Sequence, residues 1–102
     1  YVVARRGDTF KSLGKEFDIS HRKLRKYNEL PKDYVFRGGE IVYLEEKRRR
    51  ATKDHIAYVV RSGDSMYSIS QKFGVRLERL YKMNNMDPDS PAPKVGDILR
   101  LR

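Results

Sequence analysis

The fold is decided by residues 58–65, Tyr58-Val59-Val60-Arg61-Ser62-Gly63-Asp64-Ser65, because the start of the chain repeats their pattern. At the start of the chain, Tyr1-Val2-Val3 precedes Gly7-Asp8-Thr9, and further residues match in the same order along the two stretches. An internal repeat of this kind indicates two copies of one small structural unit. The further matched pairs are Ser12 with Ser68, Phe17 with Phe73, Leu24 with Leu80, Lys26 with Lys82, Asn28 with Asn84, and Gly39-Glu40-Ile41 with Gly96-Asp97-Ile98.

The alignment divides the chain into a first repeat at residues 1–44, a basic linker at 45–57 and a second repeat at 58–102. It requires one extra residue before Gly7, within Ala4-Arg5-Arg6, and one extra residue before Gly96 in the second repeat. The linker contains Lys47-Arg48-Arg49-Arg50 and little that is apolar, so we expect it to be solvated. We also expect the lengthened first loop to alter the shape of the first repeat.

Each repeat has the pattern of a strand, two helices and a second strand. In the first repeat, Tyr1-Val2-Val3 and Ile41-Val42-Tyr43-Leu44 are short β-branched and aromatic runs, which is typical of strands. Thr9 and Ser20 are candidate helix N-caps, and apolar residues follow them at helical spacing: Phe10, Leu13 and Phe17, then Leu24 and Tyr27. We predict an α+β fold of two βααβ modules, each with a two-stranded antiparallel sheet and two helices on one face.

The composition restricts the chemistry that the chain can perform. Its 102 residues include 23 Lys and Arg against 14 Asp and Glu, which gives a formal net charge of +9. The absence of Cys excludes disulfides, thiolate nucleophiles and Cys-based zinc sites. His21 and His55 have no partners at metal-ligand spacing, so we expect no metal and no cofactor. No apolar run has the roughly 20 residues of a membrane-spanning helix, and a chain that begins at Tyr1 is expected to be a fragment without its targeting segment.

The repeated residues resemble those of LysM (lysin motif) domains, small βααβ modules that bind N-acetylglucosamine-containing glycans. The first repeat keeps this frame, with Phe17-Asp18-Ile19 where the family usually has an aromatic residue, Gly and an apolar residue. Gly39-Glu40 and Gly96-Asp97 depart from the Gly-Gln that is frequent in the family. The matching pieces of the second repeat are Tyr58-Val59-Val60, Gly63-Asp64-Ser65, the run from Met66 to Val75, Leu80, Asn84 and Val95-Gly96-Asp97-Ile98-Leu99.

The resemblance implies a shallow sugar-binding groove between the loop from the first strand to the first helix and the loop from the second helix to the second strand. An N-acetyl sugar offers an amide that loop backbone groups can bind, and a methyl group that Phe10, Leu30, Met66 or Met86 could cover. By position, the implied carbohydrate-binding residues are Gly7, Asp8, Thr9, Phe10, Glu29, Leu30, Pro31, Lys32 and Asp33 in the first repeat, and Gly63, Asp64, Ser65, Met66, Asn85, Met86, Asp87, Pro88 and Asp89 in the second.

Structural explanations compete with these assignments. The Asp and hydroxyl side chains of Gly-Asp-Thr and Gly-Asp-Ser suit the start of a helix. Asn28 and Asn84 can end the second helix of each repeat, since Asn tolerates a left-handed backbone. Tyr34 and Phe36 can either stack on a sugar or cover the core. Methionines at three positions are expected to fill the core: Met66, Met83 and Met86.

Catalysis is not expected, because a glycosidase needs two carboxylates at a defined separation. Asp87 and Asp89 lie on one short loop, and the first repeat does not preserve the pair. The positive charge leaves nucleic acid or an acidic protein as an alternative partner. We expect that charge to be spread along the chain, with Arg22-Lys23 and Arg25-Lys26 as its densest helical cluster.

We therefore predict a non-catalytic pair of modules that binds N-acetylglucosamine-containing glycan, with peptidoglycan as the expected polymer and chitin as the alternative. The pair would anchor a covalently linked cell-wall hydrolase, such as a glucosaminidase, amidase or peptidase, in the cell envelope. A basic adaptor for nucleic acid or an acidic protein is the alternative, and no membrane partner is expected. One repeat could instead have lost sugar binding, and the altered loop makes the first repeat the candidate.

Overall fold

The computed structural model describes residues 1–102 and contains two compact units, unit 1 at Tyr1–Lys47 and unit 2 at Arg48–Arg102. Each unit has the order strand, helix, helix, strand, so the predicted α+β class and βααβ order are confirmed. The elements of unit 1 are β1 (Val2–Val3), α1 (Phe10–Phe17), α2 (His21–Asn28) and β2 (Ile41–Val42). Those of unit 2 are β3 (Ala57–Val59), α3 (Met66–Phe73), α4 (Leu77–Met83) and β4 (Ile98–Arg100).

The strands pair antiparallel within each unit, β1 with β2 and β3 with β4. The first helix of each unit begins with a capping box, as Thr9 and Ser65 predict. The Thr9 hydroxyl accepts from the Ser12 N–H at 3.1 Å, and the Ser12 hydroxyl oxygen accepts from the Thr9 N–H at 2.9 Å. These bonds satisfy backbone donors that the first turn of a helix leaves without partners. Ser20 lies at the N-cap of α2 but makes no side-chain capping bond.

Each unit buries its own hydrophobic core between its helices and its sheet. No helix in either unit has the length and apolarity needed to cross a membrane. The buried core of unit 1 consists of Ala4, Phe10, Leu13, Leu24, Phe36 and Val42. The buried core of unit 2 consists of Ala51, Val60, Met66, Ile69, Val75, Leu80, Leu99 and Leu101, with Met83 and Met86 packed against it.

The first loop of unit 1 has the same length as that of unit 2, so the predicted extra residue before Gly7 is wrong. The Ala4 N–H donates to the Glu40 carbonyl at 2.8 Å, and the Val60 N–H donates to the Asp97 carbonyl at 2.8 Å. Ala4 and Val60 are 3% and 2% exposed, so both fill the same buried position after the first strand. The loop therefore gives no reason to suspect that the first repeat has lost its groove.

The apparent match between Tyr1-Val2-Val3 and Tyr58-Val59-Val60 is shifted by one residue in the structure. Val3 is the counterpart of Val59, and both side chains are exposed. Successive side chains of a strand point to opposite faces, so a one-residue shift exchanges buried and exposed positions. The shift was hidden because unit 1 fills the buried position with a small Ala, which does not resemble the Val of unit 2.

Asn28 and Asn84 connect the end of the second helix to the last strand. The Asn28 side chain donates to the Tyr43 carbonyl at 2.9 Å and accepts from the Tyr43 N–H at 2.7 Å. The Asn84 side chain makes the same pair of bonds with Arg100, at 3.0 and 2.7 Å. The left-handed backbone belongs instead to the residue after each Asn, with φ of 55° and 57°. The predicted helix end is right, and the predicted reason for the Asn is wrong.

Segment 45–57 is not uniformly solvated, contrary to the expectation for a linker. Lys47 is 3% exposed and forms an ion pair with Glu29. Ala51 is 1% exposed and belongs to the core of unit 2, where its N–H donates to the Leu101 carbonyl at 2.7 Å. Arg48 pairs with Val75 through an isolated parallel bridge. Both compact units therefore incorporate part of this segment.

Candidate functional site

A cleft of about 540 Å³ lies in unit 1 beside the start of α1. Its other walls are one face of α2 and the loop that runs from α2 to β2. The cleft brings together four of the predicted groove residues: Thr9, Phe10, Lys32 and Asp33. Its remaining lining residues are Lys11, His21, Arg22, Arg25 and Tyr34.

Backbone hydrogen bonds tie the two loops of the predicted groove together in unit 1. The Gly7 N–H donates to the Phe36 carbonyl at 2.9 Å, and the Phe36 N–H donates to the Asp8 carbonyl at 2.8 Å. Thr9 and Val35 form an antiparallel bridge next to these bonds. The start of α1 and the α2–β2 loop therefore hold a fixed spacing at the cleft.

Packed aromatic rings hold two residues of the cleft lining, Phe10 and Tyr34, in place. The buried Phe36 ring meets Phe10 edge-on, with centroids 5.3 Å apart, and meets Tyr34 at 4.9 Å in the same manner. Edge-to-face contacts of this kind add to the stabilisation that burial gives. Tyr34 is half-buried, so its ring provides a fixed aromatic surface in the cleft wall.

The Tyr34 hydroxyl is fixed by Glu40, to which it donates at 2.8 Å. This hydrogen bond, with burial and the negative charge of Glu40, raises the pKa of Tyr34 above its usual value. Burial raises the pKa of Glu40, but hydrogen bonds from the Arg37 N–H, the Tyr34 hydroxyl and the Gly38 N–H outweigh it and hold that pKa below its usual value. Glu40 thus stays ionised and orders the loop that carries the Tyr34 ring.

The Asp of each Gly-Asp pair closes the loop before the first helix. Asp8 accepts from the Arg5 N–H at 2.9 Å, and Asp64 accepts from the Arg61 N–H at 2.9 Å. The Arg5 N–H bond is the main reason that the pKa of Asp8 lies below its usual value. For Asp64, a 2.6 Å hydrogen bond from the Tyr58 hydroxyl is the main cause of a lowered pKa. These carboxylates have structural partners in the loop that precedes the first helix.

Other predicted residues of the first repeat lie outside the cleft lining. Glu29 forms an ion pair with the buried Lys47. Leu30 packs against the core of unit 1, and Pro31 accepts the Tyr34 N–H through its carbonyl at 3.1 Å. Gly7 lines a separate depression beside Arg6, Val35, Phe36 and Arg37.

The apolar side chains that were expected to cover an acetyl methyl group belong to the cores. Phe10 is 2% exposed and Met66 is 4% exposed. Leu30 and Met86 are partly buried against the cores of their units. Tyr34 is therefore a better candidate for apolar contact with a ligand than any of these four residues.

The predicted second loop of unit 2 is held by its own side chains. The Asp87 carboxylate accepts from the Asp89 N–H at 2.8 Å, and the Asp87 N–H donates to the Ser90 hydroxyl oxygen at 3.0 Å. Pro88 lies exposed between them, and Asn85 has a left-handed backbone. Asp87 thus shapes a turn, while Gly63 and Ser65 shape the facing loop and helix start.

Sequence reasoning did not place α2 side chains in the groove, although it noted their charge. Arg22 and Arg25 are three residues apart, so they lie on one face of the helix, and that face meets the cleft. The expectation that charge is spread along the chain is therefore wrong for this part of unit 1.

No three His, Asp or Glu side chains gather closely enough in the structure to hold a metal ion.

Family comparison and known relatives agree on the nature of the repeats. The LysM domain family model matches residues 2–42 and 58–102. A probable peptidoglycan endopeptidase, LytE of Bacillus subtilis, is 28% identical over an alignment that covers 99% of this chain and 31% of that protein. Membrane-bound lytic murein transglycosylase D of Escherichia coli is 30% identical, with 99% of this chain and 22% of that protein covered.

A third relative is named for binding rather than for catalysis. The cell wall-binding protein YocH of Bacillus subtilis is 24% identical over 86% of this chain and 29% of its own length. The chain spans less than a third of the length of each of these three relatives.

Proposed function

This chain belongs to the LysM domain family in both of its repeats, and on that premise we propose that it is a non-catalytic pair of modules that binds peptidoglycan. Each module would recognise N-acetylglucosamine-containing glycan in the groove between its two loops. Two weak sites on one chain can engage one polymer together, which raises the overall avidity without any new contact. Chitin shares the N-acetylglucosamine unit and is the second substrate to be tested.

The cleft of unit 1 is the observation that carries this proposal. Its volume of about 540 Å³ falls within the roughly 300–1,000 Å³ of small-ligand sites. It lies between the two loops that the family resemblance implicates, and Thr9, Lys32 and Asp33 are all at its surface. The half-buried Tyr34 ring supplies an apolar face for a sugar, and the exposed turn at Lys32 and Asp33 supplies backbone amide groups.

A binding role without catalysis fits the groups present in this cleft. Asp33 is the one carboxylate among its lining residues, whereas glycoside hydrolysis requires a pair of carboxylates. Relatives named as an endopeptidase and a transglycosylase are three to five times longer than the part that this chain matches. We infer that the chain anchors a separate cell-wall hydrolase domain in the cell envelope.

The direct test is sedimentation of the chain with insoluble peptidoglycan and with chitin, at low and at high salt. The proposal predicts binding that survives high salt and is competed by N-acetylglucosamine oligomers, since contacts to neutral sugar groups are weakly screened. Binding that disappears at high salt, or that is equal on DNA, would support the basic adaptor instead, because phosphate contacts weaken steeply with salt.

A matched pair of variants locates the site. Asp33→Trp places a large side chain in the cleft, and we expect it to reduce N-acetylglucosamine oligomer binding by unit 1 several-fold. Asp54→Trp makes the same change at another exposed turn residue, outside the cleft lining, and should leave binding unchanged. Equal binding by the two variants would show that the cleft is not the sugar-binding site.

A further inference from the structure

The lining of the unit 1 cleft is strongly cationic. Asp33 is its one carboxylate, and His21 is a further basic side chain. Ion pairs join Arg5 to Asp8 and Glu16, and Lys47 to Glu29, and none of these side chains lines the cleft. Four exposed basic side chains line the cleft: Lys11, Arg22, Arg25 and Lys32.

Arg22 and Arg25 are suited to recognise an oxyanion from one side of the cleft. They project from the same face of α2, and a guanidinium group can donate two parallel hydrogen bonds to one carboxylate. Lys23 and Lys26 lie on the same helix and are also exposed, but they do not line the cleft. The helix thus separates two basic residues that face the cleft from two that do not.

Unit 2 carries no cation at the equivalent positions of its helices. The capping boxes and the Asn28 and Asn84 bonds align α1 with α3 and α2 with α4 without a gap. The counterpart of Arg22 is Glu78, which has the opposite charge. The counterparts of Lys11, His21 and Arg25 are Tyr67, Leu77 and Tyr81.

We propose that the two grooves divide the glycan between them: both accept an N-acetylglucosamine-containing segment, but the unit 1 cleft prefers a segment that bears a carboxylate, and unit 2 prefers a neutral one. This inference rests on the proposed function, since it names the chemistry that each groove of the pair selects. In peptidoglycan a carboxylate near an amino sugar has two sources. One is the acid substituent of the muramic sugar, which is a free carboxylate only where no peptide stem is joined to it through an amide bond. The other is the peptide stem, which carries carboxylates of its own.

Calorimetric titration of the intact chain with three soluble probes tests the division. The probes are chitotetraose, which is neutral, a peptide-free muramic-acid-containing tetrasaccharide, and the same tetrasaccharide with its peptide stems. We expect the double variant Arg22→Gln with Arg25→Gln to bind the carboxylate-bearing probes about five- to tenfold more weakly, as two partly exposed charge pairs would allow. Its affinity for chitotetraose should change by less than about twofold, because that probe carries no charge.

The matched control is Lys23→Gln with Lys26→Gln, which removes the same charge from the same helix. If the control weakens binding of the carboxylate probes as much as the Arg22 and Arg25 variant, net charge explains the effect and the inference is overturned. It is also overturned if a glycerol phosphate polymer binds through the two arginines more tightly than either carboxylate probe. Loss of affinity only for the peptide-free probe assigns the muramic acid group as the source of the carboxylate, and loss only for the stem-bearing probe assigns the stem. Loss for both probes shows that the arginines bind either carboxylate, and each of these three results supports the inference, whereas no loss for either probe overturns it.

The reverse change in unit 2 provides a gain-of-function test. Glu78→Arg places a cation at the position of Arg22, and we expect it to strengthen binding of the carboxylate probes about two- to fivefold. No gain would contradict the role assigned to this position. Failure of the unaltered chain to bind chitotetraose would instead contradict the proposed function, and the comparison of charge variants on the muramic probes would still be readable.

Discussion

Units 1 and 2 share one plan but hold their groove loops in different ways. In unit 1, the Phe36 ring is buried in the core, and the Phe36 N–H connects the two loops by donating to the Asp8 carbonyl. In unit 2, the equivalent position holds Pro93, which has no N–H to donate. Phe36 and Pro93 are equivalent because the residues that follow them make the same hydrogen bond. The Arg37 N–H donates to the Glu40 carboxylate, and the Lys94 N–H donates to the Asp97 carboxylate.

The difference indicates that one module can order the loop between its second helix and last strand by two physical routes. Unit 1 uses native contacts, namely a buried aromatic side chain and backbone hydrogen bonds. Unit 2 combines the Asp87 turn with prolines at 88, 91 and 93, against the single Pro31 of unit 1. Prolines restrict the unfolded loop and so reduce the entropy lost on folding. Unit 1 should therefore depend more strongly on single side chains in this loop.

The largest expected effect separates these two routes. Phe36→Ala removes a ring that is 1% exposed and contacts Phe10 and Tyr34, so unit 1 should lose about 3–5 kcal/mol of unfolding free energy. Pro93→Ala removes a partly buried residue and should cost unit 2 less than about 1 kcal/mol. Urea unfolding followed by NMR signals of each unit measures both values. Similar losses in the two units would contradict the comparison.

A smaller effect is expected at the Asn that both units share. Asn28 is 1% exposed, so Asn28→Ala leaves the Leu24 and Tyr43 backbone groups without these partners away from water, at about 2–3 kcal/mol. Asn84 makes equivalent bonds at a more exposed site, where water can replace them, and Asn84→Ala should cost about 1 kcal/mol. Hydrogen exchange of the Tyr43 and Arg100 amides reports each connection, and equal costs would show that burial does not distinguish the units.

Next in size is the residue that ends the first helix of each unit. Asp18 has a left-handed backbone with φ of 54°, and its counterpart Gly74 has φ of 66°. Glycine adopts this conformation without the steric cost of a side chain, so Asp18→Gly should stabilise unit 1 by about 0.5–1 kcal/mol. Gly74→Asp should destabilise unit 2 by a similar amount. Urea midpoints that move in the same direction for both variants would contradict the assignment.

An effect of the same size, but confined to neutral pH, concerns Glu40. The pKa of Glu40 is lower in the folded protein than in the unfolded chain, so its ionised form stabilises unit 1 at neutral pH. That contribution is lost as the pH falls through the folded-state pKa. Glu40→Gln should therefore cost about 0.5–1 kcal/mol at pH 7, and the deficit should shrink towards zero in acid. A deficit that stays constant between pH 7 and pH 3 would contradict this role.

The repeat pattern was enough to predict the fold, but residue equivalence at β1 required the structure. Apolar residues at helical spacing and the capping residues Thr9 and Ser65 determine where α1 and α3 begin, and local sequence encodes both features. The position of Ala4 depends on its hydrogen bond to Glu40, which is distant in sequence. The resemblance of Tyr1-Val2-Val3 to the second repeat was therefore misleading by one residue.

The candidate site was predictable in its loops and not in its helix wall. Thr9, Lys32 and Asp33 follow from the positions that the family resemblance implies. Arg22 and Arg25 reach the cleft because α2 packs beside the start of α1. The sequence pattern does not reveal how the two helices pack. Their spacing of three residues was the available signal, because it places both charges on one helix face.

Titration of the isotope-labelled chain with chitotetraose at high salt, followed by amide chemical shifts, tests the central claim most directly. The account predicts saturable shifts at Thr9, Lys32 and Asp33 around the unit 1 cleft and at the facing loops of unit 2, with little change elsewhere. Shifts confined to the basic run from Lys47 to Arg50, or shifts that disappear as salt is raised, would contradict it and would make net charge the basis of binding.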